Sequence, residues 1–135
     1  MNRLIQTLKT LFFVVSIFIF TSCVDDYGKH VQADNVTIYY KEPVTKKQAS
    51  TLLNFWLENQ FNGAKPQYMQ LRKKDRTIIL NLIPSDTNLM RDIPFDVQLV
   101  MRDLQSRIDS GVFPDSRFEI RISDNQFNRS VSPFE

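Results

Sequence analysis

Residues 36–57, VTIYYKEPVTKKQASTLLNFWL, contain the first strand and the first helix that the sequence predicts. Val36 to Tyr40 is a run of β-branched and aromatic residues, which favour a strand, and Glu42-Pro43 ends it. Thr45 and Gln48 have the spacing of a capping box, the reciprocal pairing that begins a helix. An amphipathic helix follows, and its apolar residues recur at helical spacing: Ala49, Leu52, Leu53, Trp56 and Leu57.

The next part of the chain repeats this alternation of strand and helix. Gln67 to Lys73 alternates between apolar and polar residues, Lys73 to Arg76 is a polar turn, and Thr77 to Ile83 is the most strand-like run. After a loop, Pro94 predicts the start of a second helix, with Asp92 near its cap. The predicted buried stripe of this helix is Val97, Val100, Met101, Leu104 and Ile108. Arg117 to Ile122 alternates again and predicts a final strand.

The predicted order is therefore strand, helix, strand, strand, helix, strand. The simplest α+β solution is a four-stranded antiparallel sheet with both helices on one face (βαββαβ), a ferredoxin-like arrangement. We expect the side chains that face the helices to be Val36, Ile38, Tyr40, Ile78, Leu80 and Leu82. Over roughly 36–131 the chain is also similar to a small uncharacterised bacterial domain, through VTIY, PVT, the QL of residues 70–71, the VF of residues 112–113 and IRISD. That resemblance implies a fold and no activity.

The N-terminal residues have the pattern of an export signal. Arg3 and Lys9 precede a largely apolar run from Leu11 to Phe20, which is too short to span a bilayer. Residues 20–23, Phe-Thr-Ser-Cys, resemble the lipobox of bacterial lipoproteins, in the relaxed Bacteroidetes form that tolerates Phe20 in place of Leu. The resemblance implies cleavage before Cys23, acyl chains such as palmitate on Cys23, and membrane anchoring. The alternative is an ordinary secretory peptide followed by a free thiol.

These segments predict four parts. They are a signal peptide over 1–22, a lipidated Cys and flexible tether over 23–34, an α+β domain over 35–124 and a C-terminal tail over 125–135. Val24 follows Cys23 where Asp would favour inner-membrane retention in enterobacteria, so we expect outer-membrane delivery, with the domain facing either the periplasm or the surface.

Charge and composition argue against several function classes. Residues 1–22 hold two basic and no acidic residues, so their removal leaves 15 basic and 15 acidic residues and no support for nucleic-acid binding. One Cys and one His exclude Cys-cluster and multi-histidine metal sites. His30 lies in the predicted tether, and three glycines form no phosphate-binding loop. We predict no catalytic residue, metal or cofactor, and therefore no enzyme.

Two surfaces remain as candidates for function. Asp86, Asp92 and Asp96 flank the start of the second helix and could serve an envelope enzyme or a glycan-binding protein. The sheet face opposite the helices should carry four candidate contact residues for an envelope protein partner: Tyr39, Tyr68, Arg72 and Arg121. We predict a non-enzymatic binding or accessory module of the cell envelope. A structural subunit of an outer-membrane assembly is a further alternative.

The same open face should carry Ile79 and Ile83, and exposure of their apolar side chains to water is unfavourable. Three explanations are possible. The tail, with Phe127, Val131 and Phe134, could fold back over them, a partner or second copy could cover them, or they could be exposed.

Overall fold

The computed structural model describes residues 26–134. The strands are β1 (Lys29–Ala33), β2 (Val36–Tyr40), β3 (Gln67–Lys74), β4 (Thr77–Leu82), β5 (Arg117–Ser123) and β6 (Ser130–Val131). The helices are α1 (Lys46–Glu58) and α2 (Phe95–Gly111), and a 3₁₀ turn covers Thr87–Met90. The predicted signal peptide and Cys23 lie outside the described residues. None of the helices within 26–134 is long and apolar enough to cross a membrane.

The sheet has six strands in the order β1-β2-β3-β4-β5-β6, so the predicted four-stranded antiparallel ferredoxin-like sheet is wrong. The α+β class itself is correct. The two helical crossovers join neighbouring strands, and β2 therefore pairs with β3 in parallel, as β4 does with β5. The β1–β2, β3–β4 and β5–β6 pairs are antiparallel.

Two features separate the observed sheet from the predicted one: β3 lies between β2 and β4, and an unpredicted strand, β1, precedes β2. In the predicted fold the last strand pairs with the outer edge of the first, which here is β2. That edge is already occupied by β1, which pairs with β2 from Lys29 opposite Tyr40 to Ala33 opposite Val36. The segment KHVQA contains one buried apolar residue, Val31, so its pattern is weak and it was assigned to the tether. Asp34, with φ of 52°, and Asn35 form the two-residue turn of this hairpin.

Helix α1 forms as predicted. Thr45 Oγ1 accepts a hydrogen bond from the Gln48 backbone N–H at 3.2 Å, and Gln48 Oε1 accepts one from the Thr45 N–H at 3.0 Å. Its buried residues, Ala49, Leu52, Leu53 and Trp56, pack in one core with Val36, Ile38, Leu71 and Leu80. Of the six residues expected to face the helices, all but the half-buried Leu82 are buried.

Helix α2 differs from its prediction in two respects. Pro94, predicted in its first turn, is its N-cap, and no side chain caps the helix. Ile108 is its buried residue, Val97, Met101 and Leu104 are partly buried, and Val100 is 65% exposed. The helix contacts β5, whereas α1 contacts β1 and β2. The two helices therefore cover opposite ends of the sheet, above different strands.

The predicted tail is part of the sheet. Residues 130–131 form β6, in which Val131 pairs with Ile122 and Ser130 with Ser123. The Asp124 carboxylate accepts hydrogen bonds from the backbone N–H groups of Gln126, Asn128 and Arg129, which turns the chain back towards β5.

Candidate functional site

Tyr27 and Phe127, from the loop between β5 and β6, cover part of the sheet face opposite the helices. The ring of Tyr39 lies 5.4 Å from that of Tyr27 and 6.1 Å from that of Phe127, and the rings of Tyr27 and Phe127 are 5.4 Å apart. Beneath this cluster, Gln70 Nε2 donates to the Tyr27 carbonyl at 3.1 Å, and Asn81 Nδ2 donates to Gln70 Oε1 at 3.3 Å. Gln70 and Asn81, at the centre of this face, are therefore buried, whereas Tyr68 on the same face is 48% exposed.

Ile79, which the sequence places on this open face, is shielded from water. Ile79 is buried, and its neighbour in the pairing with β3, Arg72, lines one cavity together with Tyr27 and Phe127. Phe127 of the predicted tail packs over this face together with Tyr27, and the strand neighbours of Ile79 are Arg72 and Glu119. Ile83 lies beyond the end of β4 and lines a groove on the helix side of the sheet instead.

The four predicted contact residues have different environments. Tyr39 is enclosed in the aromatic cluster. Arg121 donates to Glu119 at 2.8 Å, to Ser130 Oγ at 2.9 Å and to the Ser130 carbonyl at 3.2 Å, so it attaches β6 to β5. Arg72 is half-buried, with its Nε buried. Tyr68 is 48% exposed and is the member of the set best placed to meet a partner.

The three acids of the enzyme alternative do not meet in one pocket. The carboxylate of Asp86 accepts a hydrogen bond from the Asn88 N–H at 2.9 Å, and Asp96 is exposed in the first turn of α2. Asp92 lines a polar cavity of about 460 Å³ with Arg91 and Arg121, which neither Asp86 nor Asp96 lines. The alternative has no paired-carboxylate geometry to support it. Within 26–134 no cluster of three or more His, Cys, Asp or Glu side chains could hold a metal ion, and His30 packs beside Tyr39.

An apolar concavity lies between the two helices. This interhelix groove has a volume of about 380 Å³, and its lining includes Trp56, Phe61, Met69, Leu82, Met101 and Leu104. It exists because α1 covers β1 and β2 while α2 covers β5, so the ends of β3 and β4 form its floor. Small-molecule and peptide sites are concave, apolar surfaces of this kind.

One arginine joins the two helices at the side of the groove. Arg107 Nη2 donates to Asn59 Oδ1 at 2.6 Å, and its guanidinium lies 5.5 Å from the ring centre of Phe61. These contacts connect α2 to the C-terminal end of α1.

The outer surface of α2 carries three exposed apolar side chains. Phe95 is 73% exposed, Leu99 51% and Val100 65%. Residues four apart lie on the same side of a helix, so Phe95 and Leu99 are neighbours, and Val100 also lines the groove. Sequence analysis assigned Val100 to the core and did not identify this surface, because apolar periodicity alone does not show what a helix face contacts.

The comparison with protein families identifies the domain. Residues 30–132 match the model of the AF_1994_N family, described as a family N-terminal domain. The chain belongs to this family. The match includes β1 and β6, which agrees with a domain wider than the predicted 35–124. No curated protein and no solved structure matches the chain.

Proposed function

We propose that this protein is a lipid-anchored, non-enzymatic binding module of the bacterial cell envelope, located at the outer membrane. Support for the anchor comes from the sequence, in which the lipobox-like residues 20–23 end at Cys23. Two or three acyl chains form a stable anchor. Cys23 is three residues before Asp26, and three residues span about 10 Å at most, so the anchor would hold the domain close to the bilayer.

The exposed apolar surface of α2 and the interhelix groove carry the binding part of the proposal. Three large side chains of one helix, Phe95, Leu99 and Val100, are each at least half exposed, and Val100 lines an apolar concavity. Contiguous exposed apolar surface on a folded domain is typical of protein interfaces. The expected partner is an envelope protein that presents apolar side chains to this surface. Membrane anchoring would raise the local concentration of the module near such a partner.

Mass spectrometry of the protein isolated from membranes tests the anchor. We expect residues 1–22 to be absent and the peptide that begins at Cys23 to carry the mass of the acyl chains. Cys23→Ser should leave the chain uncleaved and without lipid. An intact Met1 or an unmodified Cys23 in the native product would contradict the anchor.

Photo-crosslinking in intact cells tests the binding surface. A crosslinking residue at position 99 should give one discrete product, and the same residue at exposed position 117, on β5, should not. Val100→Lys should remove the product, because an exposed charge beside the groove disfavours apolar contact. Equal products from both positions, or no effect of V100K, would contradict the proposal that this surface binds a partner. A product that survives detergent extraction as a stable complex would favour the structural-subunit alternative.

A further inference from the structure

Two cationic side chains, Lys41 and Arg72, occupy neighbouring positions on the sheet, close to the first described residues. Tyr40 pairs with Leu71 in the parallel β2–β3 register, and the Lys41 N–H donates to the Leu71 carbonyl at 3.1 Å. Lys41 and Arg72 are the next residues of their segments and share the open face of the sheet. Like charges on adjacent strands repel, so this arrangement is unfavourable unless an anion lies between them.

Neither side chain has an anionic partner within residues 26–134. The ion pair in this part of the chain joins Arg121 to Glu119. Arg72 Nε is buried and has no hydrogen-bond acceptor among the described residues. A buried donor of a charged group that lacks an acceptor is energetically costly. The guanidinium is thus placed to bind a ligand that carries acceptor oxygens.

A pocket of about 210 Å³ joins the two cations. Its polar lining includes Gln70, which is 4% exposed and is held by Tyr27 and Asn81, together with Asn128 from the covering loop. Asp26 is the acidic residue among the described lining, so the lining carries two positive charges and one negative. The volume is several times the roughly 30 Å³ that one water occupies in the liquid, so a small anion fits.

We propose that Lys41 and Arg72 form a binding site for a phosphate group. A guanidinium binds phosphate oxygens through two parallel N–H groups, and an ammonium adds a point charge. The phosphate can belong to a lipid headgroup or to a free phosphate. The headgroup source rests on the proposed lipid anchor, which would keep the pocket close to the bilayer because Asp26 and Tyr27 line it. The free-phosphate source does not depend on the anchor.

Titration of the full chain with inorganic phosphate tests the site. The protein is held in dodecyl maltoside, which contains no phosphate, at constant ionic strength. We expect saturable NMR shifts at the Gln70 side-chain amide and the Lys41 backbone amide. Lys41→Gln should weaken phosphate binding about tenfold or more, since one charge-assisted hydrogen bond is lost. Arg72→Gln should abolish it, and Arg117→Gln, at an exposed position on β5, should have no effect.

A second titration, with dihexanoyl phosphatidylglycerol below its micelle concentration, separates the two sources. Saturable shifts at the same amides support a headgroup, and shifts with inorganic phosphate alone support a free phosphate. No saturable shift with either probe, or equal weakening by K41Q and R117Q, would overturn the site. K41Q keeps the test valid if R72Q fails to fold. Cys23→Ser should leave the phosphate titration unchanged, so a failed anchor and a failed phosphate site give different results.

Discussion

At the scale of single residues, Gly28 decides how the chain enters the sheet. It has φ of 94°, and a Cβ at this position would collide with the Tyr40 carbonyl oxygen. Glycine alone adopts this region without a steric cost and permits so close an approach. Gly28 therefore lets Tyr27 turn onto the open face while Lys29 begins β1.

We expect Gly28→Ala to destabilise the protein by at least about 1–3 kcal/mol, because it adds backbone strain and a clash with Tyr40. Gly63→Ala is the matched control, since a Cβ there has no atom within 4 Å and its φ is not in the left-handed region. Urea unfolding of both variants measures the difference. Equal midpoints for the two variants would show that the close approach at Gly28 does not constrain the fold.

At the scale of elements, the two helices are held in different ways. Helix α1 has a complete capping box and a fully buried stripe against β1 and β2. Helix α2 begins at Pro94 without a side-chain cap and has one fully buried residue, Ile108. A helix in a folded protein derives most of its stability from tertiary packing. Since α2 buries less of its apolar surface in the fold than α1, it has more to gain from contact with a partner.

Thr45→Ala should destabilise the protein by about 1 kcal/mol, because it removes the acceptor for the Gln48 N–H at the start of α1. Thr51→Ala makes the same chemical change in the exposed middle of that helix. There, alanine should be neutral or slightly stabilising, by a few tenths of a kcal/mol, since it has the higher helix propensity. Thermal unfolding monitored by circular dichroism compares the two. A loss of stability in T51A as large as that in T45A would contradict the capping role.

At the scale of the whole molecule, both ends of the described chain meet on one face of the sheet. Tyr27 and Phe127 are a hundred residues apart in sequence and have their rings 5.4 Å apart over Tyr39. Phe127 has φ of 56°, a strained conformation for a bulky residue, which persists where the surrounding contacts outweigh the strain. The packing of Tyr27 on Phe127 therefore joins the first described residues to the loop that precedes β6.

Phe127→Ala should destabilise the protein by about 1–3 kcal/mol, because it removes a ring that packs on two others and leaves part of the open face in water. Phe95→Ala makes the same truncation at a ring that is 73% exposed and should change stability by less than about 0.5 kcal/mol. Chemical denaturation measures both. If F95A costs as much as F127A, the cover over the open face does not contribute to stability.

The candidate sites show where sequence reasoning stops. Arg72 and Tyr39 were correctly placed on the open face, because strand alternation is a local property. Two further features depend on the tertiary structure. Tyr39 packs against Phe127 of the covering loop, and Arg72 lies beside Lys41 because of the register between β2 and β3. The interhelix groove could not be predicted either, because it depends on the strands that each helix covers.

The sequence by itself determined the main helices and central strands, the capping box of α1 and the side of each strand that faces the core. Each of these rests on interactions between residues a few positions apart, which any single sequence displays. The tertiary structure decided which strands pair: β1 occupies the outer edge of β2, and β3 lies between β2 and β4. It also decided that the chain ends cover the open face and that a groove remains between the helices. These outcomes depend on the burial of surface between residues that are far apart in the chain. A local sequence pattern does not show which distant surfaces come into contact.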